Sequence, residues 1–148
     1  MEIEYFIIGL VLSLVFTSVT GYFPGGIIVP GYLVLFLDQP LRLIGTLGTA
    51  MLAYLLYRLA ARYLILFGKR RFVMLVLAGA LFSIAVNLFL PSLWPESVEF
   101  KVIGLVIPGL IANNCDRQGI PVTLSALTIV VTALFFIGRL WSGLVNLI

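Results

Sequence analysis

The sequence predicts an all-α integral membrane protein, a small helical bundle of four transmembrane helices plus two short broken segments, with six crossings as the alternative. Three observations predict it. Of 148 residues 62% are hydrophobic and only 10% charged, with mean hydropathy +1.21. Soluble domains carry roughly 25% charged residues, so there is too little polar surface here to cover a water-facing globule. Charge is absent between Glu4 and Asp38, Arg42 and Arg58, Arg71 and Glu96, and Arg117 and Arg139. Runs of about 20 apolar residues match the thickness of hydrocarbon. These runs are also continuously apolar, whereas a transmembrane barrel alternates in segments of about 10.

Taken in order, Ile3 to about Val19 reads as the first span. The N-terminus MEIEYF is acidic and lacks the basic start and small-residue cleavage site of a secretory signal, so the first helix is expected to be retained. The stretch GYFPGGIIVPGYLVLFLDQP (residues 21–40) is as apolar as a span but holds Pro24, Pro30 and Pro40 and four glycines. It fits a re-entrant or discontinuous segment, with half-helices meeting at Val29-Pro30-Gly31. Pro40 suits a helical first turn, and the helix it opens is expected to reach about Phe67. Gly68-Lys69-Arg70-Arg71 is the densest charge cluster and reads as a cytoplasmic turn. Phe72 to about Leu90 is the next span, closed by Pro91 and Pro95, with Trp94 in an interfacial loop. Residues 102–119, VIGLVIPGLIANNCDRQG, repeat the broken theme at Ile107-Pro108-Gly109, and Pro121 starts a final span to about Trp141.

This order reads as one membrane domain, residues 1–148, with an internal duplication into halves 1–67 and 72–148. Pro30-Gly31 corresponds to Pro108-Gly109, Pro40 to Pro121, and each of the latter precedes an Arg-Leu pair by 18 residues, Arg58-Leu59 and Arg139-Leu140. Interrupted segments in corresponding positions point to a membrane binding site. If both segments re-enter, four helices cross and both termini are cytoplasmic. If both cross, there are six crossings, both termini are external and the halves are inverted. The shortness of the segments favours the first.

No catalytic constellation is present. The chain has no histidine and one cysteine, Cys115, so it offers no metal cluster and no internal disulfide. No phosphate-cradling Gly-rich motif occurs, and no cofactor or nucleic acid is expected. Asp38, Glu96, Glu99 and Asp116 read as interfacial polar residues. Arg58 and Arg62 share a helix face, four residues apart, and Arg139 lies late in the last span. Snorkelling to the interface and lining a polar path are both open for these three. Asn113, Asn114 and Arg117 follow the second break and complete the candidates for a polar path. Asn87 reads as an amide bonded to a neighbouring helix, and Gly9, Gly45, Gly48 and Gly79 as sites of close helix approach. Pro24, Pro30, Gly31, Pro108 and Gly109 are the structural breaks. Lys69, Arg70 and Arg71 are candidates for docking a partner.

Residues 21–40, LFGKRRF (66–72) and residues 102–119 closely resemble the best-marked stretches of the PgsC/CapC family, with the same order and spacing over nearly the whole chain. The resemblance implies a membrane subunit of bacterial poly-γ-glutamate synthesis in the cytoplasmic membrane. It implies a PgsB/CapB-like ATP-dependent amide ligase as partner, which carries the nucleotide chemistry, and a PgsA/CapA-like subunit linked to export or anchoring. The family lends no catalytic residue to this chain. Poly-γ-glutamate bears about one negative charge per residue at neutral pH and cannot cross hydrocarbon unaided. Guanidinium groups or freed backbone N–H groups could meet its carboxylates. A bundle this small has a narrow interior, so a polymer path would call for a homo-oligomer or the partner. The competing readings are an autonomous small transporter or channel, and a scaffold with no path.

Overall fold

The computed structural model describes residues 2–65, 67–93 and 104–145. The elements are α1 (Glu2–Thr20), α2 (Val29–Leu35), α3 (Pro40–Ala60), α4 (Lys69–Leu93), α5 (Ile107–Gln118) and α6 (Ile120–Val145). Four of these helices, α1, α3, α4 and α6, are long and apolar enough to cross a membrane. With 7 and 12 residues, α2 and α5 reach only about 11 and 18 Å at 1.5 Å per residue, well short of the ~30 Å hydrocarbon core.

Several boundaries differ from expectation, each for a local reason. Pro30 and Pro108 sit in the first turns of α2 and α5. There a missing N–H costs nothing and the fixed φ is already helical. Each Pro-Gly pair therefore begins a helix instead of joining two half-helices, and the irregular backbone lies before it, at 21–28 and 104–106. Helix α3 stops at Ala60, not near Phe67. The next amides turn to shorter-range bonds, Arg62 N–H to Leu59 O (3.2 Å) and Tyr63 N–H to Ala60 O (3.0 Å), and residues 61–65 are all exposed, so no packed face holds the helix. Gly68, at φ +59°, makes the turn. Lys69, Arg70 and Arg71 are the first residues of α4, not part of the turn. The backbone of α4 continues past Pro91 to Leu93, and α6 runs to Val145. Trp94, Pro95, Glu96 and Glu99 lie outside the described residues.

Contacts at the ends define the chain path. Phe23 bonds to Gln118, at the junction of α5 and α6. At that same end Asp116 pairs with Arg71 of α4, and Tyr57 of α3 packs with Leu75 and Ala112. We call it the basic end. Pro40 lies 20 helical residues from Ala60, about 30 Å away at 1.5 Å per residue. Residues 21–39 therefore travel from the basic end to the far end. Leu93 is likewise remote from Arg71 along α4, so the chain returns to the basic end by Gln118. Each short segment thus joins opposite ends of the bundle, while four helices have the length and hydropathy of membrane spans. Tyr5 Oη donates to Gly138 O (3.1 Å), which puts the start of α1 beside the last turns of α6, at the far end.

The two short helices lie inside. Each packs on the helix before it and on a long helix from the other part of the chain: α2 on α1 and α6, α5 on α4 and α3. Glycines permit both close approaches. A Cβ on Gly79 would fall 2.5 Å from Gly109 N, and one on Gly9 would fall 2.7 Å from Gly31 Cα. Gly48, in contrast, faces open space. One buried cluster, including Val29, Leu33, Ala50, Ile111 and Leu127, joins α2, α3, α5 and α6. A second, of Ala53, Tyr57, Leu75, Ala78 and Ala112, joins α3, α4 and α5. Lipid tails are as apolar as leucine, so close packing and satisfied polar groups hold such a bundle, not the hydrophobic effect. Four threonine hydroxyls follow suit: Thr46, Thr49, Thr123 and Thr132 each donate to the carbonyl four residues back, at 2.6–2.8 Å.

Candidate functional site at the basic end of the bundle

The basic end carries Arg58, Arg62, Lys69, Arg70, Arg71 and Arg117, together with the carboxylate of Asp116. The far end carries Glu4, Asp38, Arg42 and Arg139. This asymmetry is much larger than the formal net charge of +3 conveys.

Three interactions order the basic end. The Arg71 guanidinium contacts the Asp116 carboxylate at 3.1 Å, with both side chains largely buried (28% and 19% exposed). The pair ties the start of α4 to the end of α5. Gln118 spans the broken backbone: its Oε1 accepts from Phe23 N–H (3.0 Å), and its Nε2 donates to Phe23 O and to Thr123 Oγ1 (3.1 Å). Irregular backbone at membrane depth is tolerated only when its polar groups find partners inside the protein, and Gln118 supplies one for each backbone polar group of Phe23. Arg117 lies over the Phe23 ring, 5.7 Å from its centre, a cation–π geometry.

The sequence candidates divide between these surroundings. Pro24, Pro30, Gly31, Pro108 and Gly109 are all buried. Asn113 and Asn114 are buried on α5; Asn114 Nδ2 donates to Leu110 O (2.9 Å) and lies beside Gly26. Asn114 and Arg117 border the irregular segment. Arg58 and Arg62 are at the same end but exposed, on the outer side of α3. Arg58 lies over Tyr54 (5.7 Å). Arg139 is exposed at the far end, over Phe135 (5.5 Å), so it does not join the others. Lys69 and Arg70 are exposed, while Arg71 is engaged with Asp116. Gln118 is a residue of this site that the sequence candidates omit; its partner Phe23 is 95 residues away, a separation that leaves no local signal.

Asp116→Asn should leave Arg71 partly buried and without its counter-charge. The expected loss is about 1–2 kcal/mol of stability, discounted for the exposure of the pair. Denaturation in detergent would read it, and the swap Arg71→Asp with Asp116→Arg should recover part of the loss.

The family model described as "Capsule biosynthesis CapC" matches residues 8–124, which include both Pro-Gly helices, the basic segment, the ion pair and Gln118. The chain belongs to the CapC family. It is 35% identical over 136 residues to the "Capsule biosynthesis protein CapC" of Bacillus anthracis, covering 91% of each chain. It is 36% identical over 132 residues to the "PGA biosynthesis protein CapC" of Bacillus subtilis (strain 168), covering 88% of this chain and 89% of that one. No solved structure matches it significantly. As a CapC family member the chain belongs to a capsule-biosynthesis system, and its long apolar helices are those of a membrane component.

Proposed function

We propose that this chain is the non-nucleotide-binding membrane subunit of a poly-γ-glutamate capsule synthase, holding an ATP-dependent amide ligase of the PgsB/CapB kind at the cytoplasmic membrane. The concentration of cations at one end of the bundle carries the reading. By the positive-inside rule that end faces the cytoplasm, where ATP and glutamate are. Lys69 and Arg70 stand exposed there and offer a positive surface to an acidic face of the ligase. The first turn of α1 and the last turns of α6 lie at the far end, external in this orientation, where a PgsA/CapA-like subunit would meet the chain. Family membership supports the polymer. The nascent chain's carboxylates would meet Arg117, with Asn113 and Asn114 behind it along the broken segment. An apolar cluster fills the middle of the bundle, so a polymer route would lie between this chain and a partner or second copy. Matching contacts around α2 and α5, and their opposite directions, favour an inverted duplication of halves 1–67 and 72–148.

Lys69→Ser with Arg70→Ser should weaken co-purification with the ligase, more so as salt rises, and should lower polymer output. Ligase binding unchanged at every ionic strength would refute this dock. The end-to-end passage of the two broken segments favours a second reading, an autonomous transporter. That reading expects solute flux in liposomes holding this chain alone.

A further inference from the structure

We infer that Arg58 and Arg62 hold the phosphate of an anionic phospholipid on the outer surface of the bundle. The argument begins with the period of α3. Its inward face is Thr46, Thr49, Ala50, Ala53 and Tyr57, all buried. Its outward face is Met51, Leu52, Leu55 and Leu59, all exposed; Arg58 belongs to that outward side, and Arg62, exposed in the turn just past the helix end, lines the same surface. The two arginines thus point away from the interior, at the end of a helix whose preceding turns present leucine to the surroundings.

An open concavity of about 550 Å³ lies there, lined by Leu55, Arg58, Leu59, Ala61 and Arg62. Its composition is that of a lipid: two guanidinium groups for a phosphate and leucine side chains for the first methylenes of the acyl chain. Asp116, the carboxylate described at this end, is committed to Arg71 and does not neutralise the pair. A polyglutamate chain fits less well, because it has no apolar part to cover Leu55 and Leu59. Basic residues at the cytoplasmic end of a membrane helix are attracted by the anionic leaflet. The inference needs the bundle to sit in a membrane with this end at a headgroup region; it does not depend on the polymer reading.

The full chain in micelles containing equal phosphatidylglycerol and phosphatidylcholine would test it, with bound lipid counted by native mass spectrometry. Wild type should retain phosphatidylglycerol in preference. Arg58→Gln with Arg62→Gln should cut that preference roughly tenfold, the order expected for two cations at a lipid surface. Arg58→Lys with Arg62→Lys should keep most of it, and Lys69→Ser with Arg70→Ser should leave it unchanged. An equal preference in the double Gln variant would overturn the proposal. So would displacement of the lipid by millimolar inorganic phosphate, which would mark a free-anion site, or by a poly-γ-glutamate oligomer, which would give the site to the polymer.

Discussion

Gly79→Ala and Gly109→Ala are each expected to cost about 2–3 kcal/mol or more, enough to leave a marginal membrane bundle largely misfolded. A Cβ on Gly79 would stand 2.5 Å from Gly109 N and 2.7 Å from Gly109 Cα; one on Gly109 would stand 2.5 Å from Val76 Cα and 2.8 Å from Leu75 O. Both obstacles are backbone, so no side-chain rotation relieves them. The helices must separate, and α5 then loses its fit against α3 as well. The first crossing should be graded more mildly. Gly9→Ala meets Gly31 Cα at 2.7 Å, whereas Gly31→Ala meets the Phe6 ring and carbonyl at 3.2 Å, where the ring can yield. Gly48→Ala meets nothing within 4 Å and should be neutral or stabilising by up to ~1 kcal/mol through helix propensity. Unfolding in detergent would rank the series. A Gly79→Ala variant as stable as Gly48→Ala would refute the crossing.

The second large effect is expected at Gln118. Gln118→Leu keeps the volume but strands Phe23 N–H, leaves Phe23 C=O only its bond from Gly25 N–H (2.9 Å), and removes the bond to Thr123. A buried, unpaired group costs roughly 1–3 kcal/mol; with one such group at a part-buried site and two further bonds lost, the cost should be about 1–3 kcal/mol. Gln118→Glu can still accept from Phe23 N–H but, when ionised, cannot donate to its carbonyl, and should fall between wild type and leucine. Hydrogen exchange at the Phe23 amide is the local readout. It should quicken sharply in Gln118→Leu, and an unaltered rate would show that the side chain does not hold this peptide.

Much of this was legible in the sequence because each long helix announces itself by an uncharged run of the right length. The Pro-Gly pairs were equally visible, but their meaning was not. Proline in a helical first turn and proline at a helix break look alike until the residues before them are seen to be irregular. The outward setting of Arg58 was within reach of periodicity: Ala50, Ala53 and Tyr57 fall on one side of α3, and Leu55 and Arg58 on the other, whereas Arg62 lies past the helix end. The Arg71–Asp116 pair joins residues 45 positions apart, and the Gln118–Phe23 clamp spans 95. Tertiary packing alone creates such contacts. The topology was hidden for a similar reason. Length alone argues that a short helix stays near one end, and only the end contacts show that residues 21–39 run from one end of the bundle to the other.

The interleaving of the chain bears on the order in which the protein can be made. Helix α5 emerges from the ribosome after α3 and α4, so its seat is ready. Helix α2 has no such luck: α6 begins roughly 85 residues after it ends. Throughout that interval the irregular backbone at 21–28 has neither Gln118 nor α6 to cover it, in a setting where uncovered backbone is not tolerated. The N-terminal part must therefore wait, sheltered at the insertion machinery or still in the interfacial layer, until the last helix arrives. A nascent chain halted before residue 120 would be stuck at that stage, and would be a better substrate for membrane proteases than its number of finished helices would imply.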